Sequence, residues 1–218
     1  MRFSLSDDQI AFRDAVRELL AKECPPSVVR AAWEAPEGEL DRGVWGSLDA
    51  MGVLPLLVPE VDGGLGLDET YLVPILEECG RVALPHPIVE TAMVAAPVLG
   101  AGAGMVASDL GGPLVPCAAD ADQLLLRRGH TLAMVKRNAV EITAVATVDG
   151  ARRAGRVSLD STGDPLTDDP AVIELALDAA PSAPPPCSSG WVRPCSTSRS
   201  ATSTSATSSA SPSAASRP

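Results

Sequence analysis

Near residue 180 the chain changes material, and that break limits what can fold. Residues 181–218 hold 13 Ser, 7 Pro, 6 Ala and 4 Thr, with no Asp or Glu. Chain with so few large apolar side chains cannot offset its ordering entropy, so these residues are expected to be a disordered tail. Three of the 17 Lys and Arg lie in the tail, which leaves 14 against 28 Asp and Glu in residues 1–180, a net charge of −14 there. An acidic body of that kind argues against nucleic acid and anionic membrane as partners. The folding part must also build its core from Leu, Val, Ala and Ile, because aromatic residues are only 3% of the chain.

The first hundred residues carry helical signals. Ser6 and Gln9 form a capping box, and Ile10, Val16, Leu19 and Leu20 then share a stripe that runs to about Glu23, where Pro25 and Pro26 end it. A short helix is expected over Ser27–Glu34. A third, capped by Asp41, places Val44, Trp45, Leu48 and Met51 on one face and ends at Gly52. Val53–Val58 reads as an extended apolar stretch, and the glycines at 63, 64 and 66 as a loop. Asp68 caps a fourth helix through Leu72, Ile75, Leu76 and Cys79. A fifth, from about Pro87 to Leu99, is apolar nearly all round and is expected to be buried.

After Gly112 the period shortens. Leu114–Val115, Gln123–Leu126, Thr131–Val135, Val140–Val145 and Arg156–Leu159 are short apolar or alternating runs separated by turn residues. Asp168–Leu177 then reads as the start of another helix. The fold class is therefore α+β: a helical domain over 1–112, a small β-rich domain over 113–167, the start of a helix over 168–180 and the tail over 181–218.

Five cysteines (24, 79, 117, 187 and 195) match no zinc spacing, and an odd number does not form a disulfide framework, so a reducing cytoplasm is expected. The N-terminus lacks the apolar region of a signal peptide. The longest uncharged run, Thr91–Ser108, is too rich in Gly and Ala for a membrane span.

Chemistry is hard to place from the residues themselves. The glycines at 100, 102 and 104 follow a helical segment rather than a strand, so they lack the setting of a dinucleotide loop. Asp160-Ser-Thr-Gly163 is a single copy, whereas acid protease chemistry needs two carboxylates sharing a proton. Asp164, Asp168 and Asp169 read as a solvated acidic loop. The two histidines, His86 and His130, have no nucleophile placed beside them by sequence, so structural or surface roles are expected. No catalytic residue and no metal ligand is assigned.

Four stretches do carry a resemblance. Phe3–Leu20 resembles the opening helix of acyl-CoA dehydrogenases. Trp45-Gly-Ser-Leu-Asp-Ala-Met-Gly-Val-Leu is similar to their "W..L..LG" helix end, Val58-Pro-Glu-Val-Asp-Gly-Gly-Leu-Gly-Leu to their "PE.yGGlGl" loop, and Glu77-Glu78-Cys-Gly-Arg81 to their "EElgr" helix. They fall in the family's order and spacing over residues 1–100. Leu84-Pro-His-Pro-Ile-Val-Glu-Thr-Ala is similar to actinobacterial branches that degrade steroids and lipids. The resemblance implies helices, then a middle β domain, then a four-helix bundle. It implies FAD, an acyl-CoA substrate, α,β-dehydrogenation and electron-transfer flavoprotein as acceptor. Glu77, Glu78 and Arg81 would lie near the acyl pocket. The family's Thr/Ser-rich flavin stretch, ending near "EP.aGSD", has no counterpart in Leu114–Val135, and neither the bundle nor its catalytic Glu is found. The chain is thus expected to be truncated and inactive alone. The alternative is a non-catalytic helical subunit that pairs with an intact acyl-CoA dehydrogenase, as a homo- or hetero-oligomer.

The tail admits a sharper reading. With each codon read one nucleotide earlier, Ser205–Arg217 can spell R-H-Q-F-G-K-P-I-G-S-F-Q, which is similar to the family's "R.QFG.pi..FQ" flavin signature. The tail is therefore read as a frameshift product with its break near Asp178–Ala180.

Overall fold

The computed structural model describes residues 4–159 and 163–182. The tail beyond Ser182, its frameshift reading, and Asp160, Ser161 and Thr162 lie outside the described residues. Helix α1 (Asp7–Glu23) opens with the expected reciprocal cap: Gln9 N donates to Ser6 Oγ and Ser6 N donates to Gln9 Oε1. Helix α2 (Pro26–Glu34) starts on the second of the two prolines, where a missing amide costs nothing. Helix α3 (Gly43–Ala50) departs from expectation at its start. Arg42 occupies the cap position, and Asp41, one residue earlier, accepts from Gly43 N at 2.8 Å. Helix α4 (Glu69–Arg81) is capped by Asp68, as expected, through Thr70 N.

Between α3 and α4 the expected extended stretch is instead a run of turns. Pro55 breaks it, and its carbonyl accepts from Val58 N and Leu65 N, while Leu67 N donates to Leu56 O. The apolar side chains still go inward: Val53, Leu54, Leu56 and Val58 are all buried. Val53, Leu54 and Leu56 join Val16, Leu20, Leu48, Leu72, Ile75 and Leu76 in the core of the helical part.

The fifth helix has an unexpected form. Glu90–Ala95 is a π-helical turn that runs into α5 (Ala96–Leu99). Such a turn closes i→i+5 bonds, one residue wider than the α-helical repeat, and so rotates the chain beyond it.

Strands β1 (Val106–Ser108), β3 (Gln123–Arg128), β4 (Thr131–Lys136) and β7 (Asp164–Thr167) form one sheet in the order β1-β3-β4-β7. Strands β2 (Val115–Pro116), β6 (Ala154–Ser158) and β5 (Glu141–Val145) form a second. Two of these strands depart from expectation. β1 lies within the uncharged run before Gly112, and β7 lies in the segment that reads as an acidic loop. Helix α6 (Pro170–Ser182) comes last, with Ala171 N donating to Asp169 Oδ1.

The run Leu124-Leu125-Leu126 on β3 explains the layering. Leu124 and Leu126 face the second sheet with Val115, Val135 and Val140. Leu125 faces the other way, with Leu132, Val94, Ala95, Ile173 and Ala176. The central sheet is thus covered on both faces, by the second sheet on one side and by the π-turn and α6 on the other. No helix among the described residues is long and apolar enough to cross a membrane.

Candidate functional site

Helix α4 brings Glu78 and Arg81 together, three residues apart on one face. Glu78 is buried, and Arg17 of α1 crosses to it, placing two guanidinium nitrogens on the carboxylate: Nη2 lies 2.8 Å from Oε1 and Nε 3.1 Å from Oε2. Arg81 Nε adds a bond of 2.9 Å to Oε2. Asp14 extends the network by accepting from Arg17 Nη1 at 2.9 Å and from Arg13. Burial on its own would push the Glu78 carboxyl up. The hydrogen bonds and charge of Arg17, and then those of Arg81, outweigh it and hold Glu78 below the usual carboxylate range. Glu78 in turn holds the Arg17 guanidinium above its ordinary value. Glu77, half-buried, points about 100° round the helix from Glu78. Arg17 escaped sequence reasoning because 61 residues separate it from Glu78 and no local pattern links them.

On its outer side Arg81 lines an apolar groove of about 830 Å³, with Val29, Arg30, Trp33, Val82 and Val148 among the other walls. Trp33 rests on Gly150, whose missing Cβ would come within 3.1 Å of the indole.

A second polar cluster joins the helical part to the sheets. Asp120, buried, accepts from Gly38 N at 3.0 Å and Leu40 N at 3.3 Å through Oδ1, and pairs with Arg153. Arg42 pairs with Asp122 at 2.7 Å and donates to the Asp120 carbonyl. His86, buried, stacks on Trp45 with ring centroids 5.7 Å apart, and its Nε2 lies 2.7 Å from Asp41 O. Desolvation lowers its pKa against the opposing pull of the Asp41 carbonyl. This is a structural histidine. His130 sits in the β3–β4 turn.

Two of the described thiols are unsuited to nucleophilic attack. Burial pushes the Cys24 thiol up and the Cys117 thiol to about 12, the opposite of what a reactive thiolate requires. No group of three or more His, Cys, Asp or Glu side chains among the described residues is placed to hold a metal ion.

Residues 6–105 match the family described as "Acyl-CoA dehydrogenase, N-terminal domain". This stretch is therefore similar to an acyl-CoA dehydrogenase N-terminal domain. Among curated acyl-CoA dehydrogenases, the chain is 27% identical over 184 residues to acyl-CoA dehydrogenase IpdE2 of Mycobacterium tuberculosis, covering 78% of this chain and 57% of that protein. Its fold matches a variant of the Tcur3481–Tcur3483 steroid ACAD with a TM-score of 0.68 at 21% identity, covering 84% of this chain and 63% of the other. It also matches the ChsE4–ChsE5 complex of Mycobacterium tuberculosis with a TM-score of 0.66 at 20% identity, covering 80% and 61%. The chain therefore spans less than two thirds of the length of each of these proteins.

The flavin donor set that acyl-CoA dehydrogenase resemblance implies does not fit the described residues. Leu114–Val135, where it is expected, holds no Ser and a single Thr, Thr131, and ahead of it only residues 109–114 link β1 to β2. The polar side chains of that link and its border are used locally. Ser108 Oγ accepts from Leu110 N, and Asp109 accepts from Arg127 N at 2.8 Å and from Arg128 Nη1 at 2.9 Å.

Proposed function

We propose that this chain belongs to an acyl-CoA dehydrogenase system that carries out FAD-dependent α,β-dehydrogenation of an acyl-CoA thioester, and that on its own it is inactive. The observation that carries this reading is Leu114–Val135, which holds no Ser and a single Thr, Thr131, where the family's Thr/Ser-rich flavin stretch is expected. No carboxylate among the described residues is assigned the proton-abstracting role.

In this reading the chain is a non-catalytic subunit that operates with an intact acyl-CoA dehydrogenase. The two-chain names of the ChsE4–ChsE5 complex and the Tcur3481–Tcur3483 steroid ACAD favour it. Glu77, Glu78 and Arg81 then border the acyl-binding region: Glu78 orients Arg81 at the mouth of the apolar groove, whose size suits a large apolar acyl group. Electron-transfer flavoprotein is the acceptor for the assembly, and the three described thiols suit a reducing cytoplasm. The C-terminal frame reading belongs to the same proposal and is tested by the nucleotide sequence across codons 170–218.

The biochemical test is flavin retention. The chain is purified alone and together with an intact acyl-CoA dehydrogenase, each with FAD added and then removed by gel filtration. The expected result is no retained flavin alone, and co-elution of the chain with the second protein in a complex that bleaches on adding acyl-CoA. Retained flavin that bleaches with acyl-CoA in the chain alone overturns the claim of inactivity.

A further inference from the structure

Where α4 ends, the segment around His86, the π-turn and the β5–β6 connection line a half-open cavity of about 40 Å³. Cys79, Ala83, His86, Glu90, Asp149 and Arg152 are among its walls. Two of these lining residues carry buried polar atoms with no protein partner among the described residues: His86 Nδ1 and Glu90 Oε2.

Their chemistry defines what can sit between them. His86 is 2% exposed. Its Nε2 faces the Asp41 carbonyl, which can only accept, so Nε2 carries the proton and Nδ1 presents a bare lone pair. Glu90 uses Oε1 to take Arg152 Nη2 at 2.7 Å, and Oε2 is left as a second acceptor. Two acceptors cannot satisfy each other, and a buried acceptor without a donor is costly. An apolar guest would leave both unpaired. A metal ion would need further ligands, and no such group of side chains is present among the described residues. Asp149 is already engaged, accepting from the Ala151 and Arg152 amides through Oδ1.

We infer that this cavity is a binding site for one bridging water, which donates one hydrogen to His86 Nδ1 and the other to Glu90 Oε2. A water needs about 10–15 Å³ of such space, so the cavity is large enough. The water completes a polar chain from the Asp41 carbonyl through His86 and Glu90 to Arg152. It thereby couples the loop ahead of α3 to the connection between β5 and β6, and it makes the Nε2-protonated tautomer of His86 a fixed feature of the fold.

The test uses the full, unsubstituted chain. A crystal structure at a resolution that shows solvent is expected to place a water about 2.6–3.2 Å from both His86 Nδ1 and Glu90 Oε2. Nitrogen-15 NMR of the same protein is expected to show His86 protonated at Nε2, with Nδ1 in the shielded range of a hydrogen-bond acceptor and a water cross-peak from the ring. A direct His86–Glu90 hydrogen bond, a Nδ1-protonated ring, or a Nδ1 with the shift of a bare lone pair overturns the inference. Because neither measurement needs a substitution, misfolding of a variant cannot obscure the answer.

Discussion

Arg17 of α1 grips Glu78 of α4 across 61 residues of sequence, with Nη2 and Nε each donating to a different carboxylate oxygen. This charged grip pins two packed helices at one register. Glu78→Gln keeps the shape and removes the charge. It is expected to lower unfolding stability by about 1.5–3 kcal/mol, the range for hydrogen bonds to charged groups. The loss should fall at the low end, because Arg17 and Arg81 are 43% and 35% exposed and water screens their charge. Urea unfolding measures it. The pH dependence gives a second check. The folded carboxyl titrates below its ordinary range, so as pH falls the unfolded chain takes up the proton first. The stabilisation is full above the ordinary glutamate pKa of about 4.3 and drains as pH falls through the lower folded value. Glu78→Gln should flatten that acid limb.

His86 adds a second acid-sensitive step at higher pH. Its folded pKa lies below the ordinary value, chiefly through burial, so the unfolded chain again binds the proton first. Stability is expected to be full above about pH 6.5 and to fall as pH drops from there toward the folded value. His86→Phe preserves a ring to stack on Trp45 but cannot titrate. Urea midpoints at about pH 7.5 and 5.5, either side of the ordinary histidine pKa, should differ in the parent chain and differ less in the variant. An equal drop in both proteins would show that His86 is not the group responsible.

Glycines separate into those the fold requires and those it tolerates. A Cβ at Gly64 would lie 2.1 Å from Val58 O and 2.4 Å from Val58 Cβ, inside the turn between α3 and α4. Gly64→Ala must displace backbone there and is expected to cost about 3 kcal/mol, at the top of the usual range for overpacking. Gly46 lies exposed within α3, with nothing within 4 Å of an added Cβ. Gly46→Ala should stabilise by about 0.5–1 kcal/mol through helix propensity. Thermal unfolding of the pair, with midpoints moving in opposite directions, checks both.

Legibility in the sequence divides along physical lines. Local signals are legible: the Ser6–Gln9 cap, the proline stop after α1, the Asp68 cap and the β3–β4 hairpin each depend on neighbours in sequence. β1 is hidden because a three-residue strand buried on both sides shows no alternation, and its pairing with β3 is parallel and distant. The stretch Val53–Val58 is apolar enough for a strand, yet Pro55 and the Gly63–Gly66 loop satisfy its backbone through turns. At the candidate site, Glu78 and Arg81 are visible as a motif. Arg17 and the Asp120 cluster are not, since their partners lie far away in sequence, 61 residues for Arg17 and up to 82 for Asp120, and only folding brings them together.

Asp120 is the residue on which the junction between helices and sheets most depends. A single oxygen, Oδ1, receives Gly38 N, Leu40 N and Arg153 Nη2, and the side chain is nearly sealed from water. Asp120→Ala leaves two backbone amides and a mostly buried guanidinium without their acceptor. The expected loss is about 2–4 kcal/mol, between the cost of one unsatisfied buried group and that of a broken buried ion pair. Asp120→Asn can keep an oxygen for the two amides but not the charge that faces Arg153, so it should fall between the parent chain and the alanine variant. Because Gly38 and Leu40 lie in the connection between α2 and α3, the damage should appear first as local opening of residues 35–41. Limited proteolysis is expected to cut that connection faster in the alanine variant under conditions where α1 and α4 stay protected. Equal cleavage in all three proteins would show that Asp120 does not hold the connection in place.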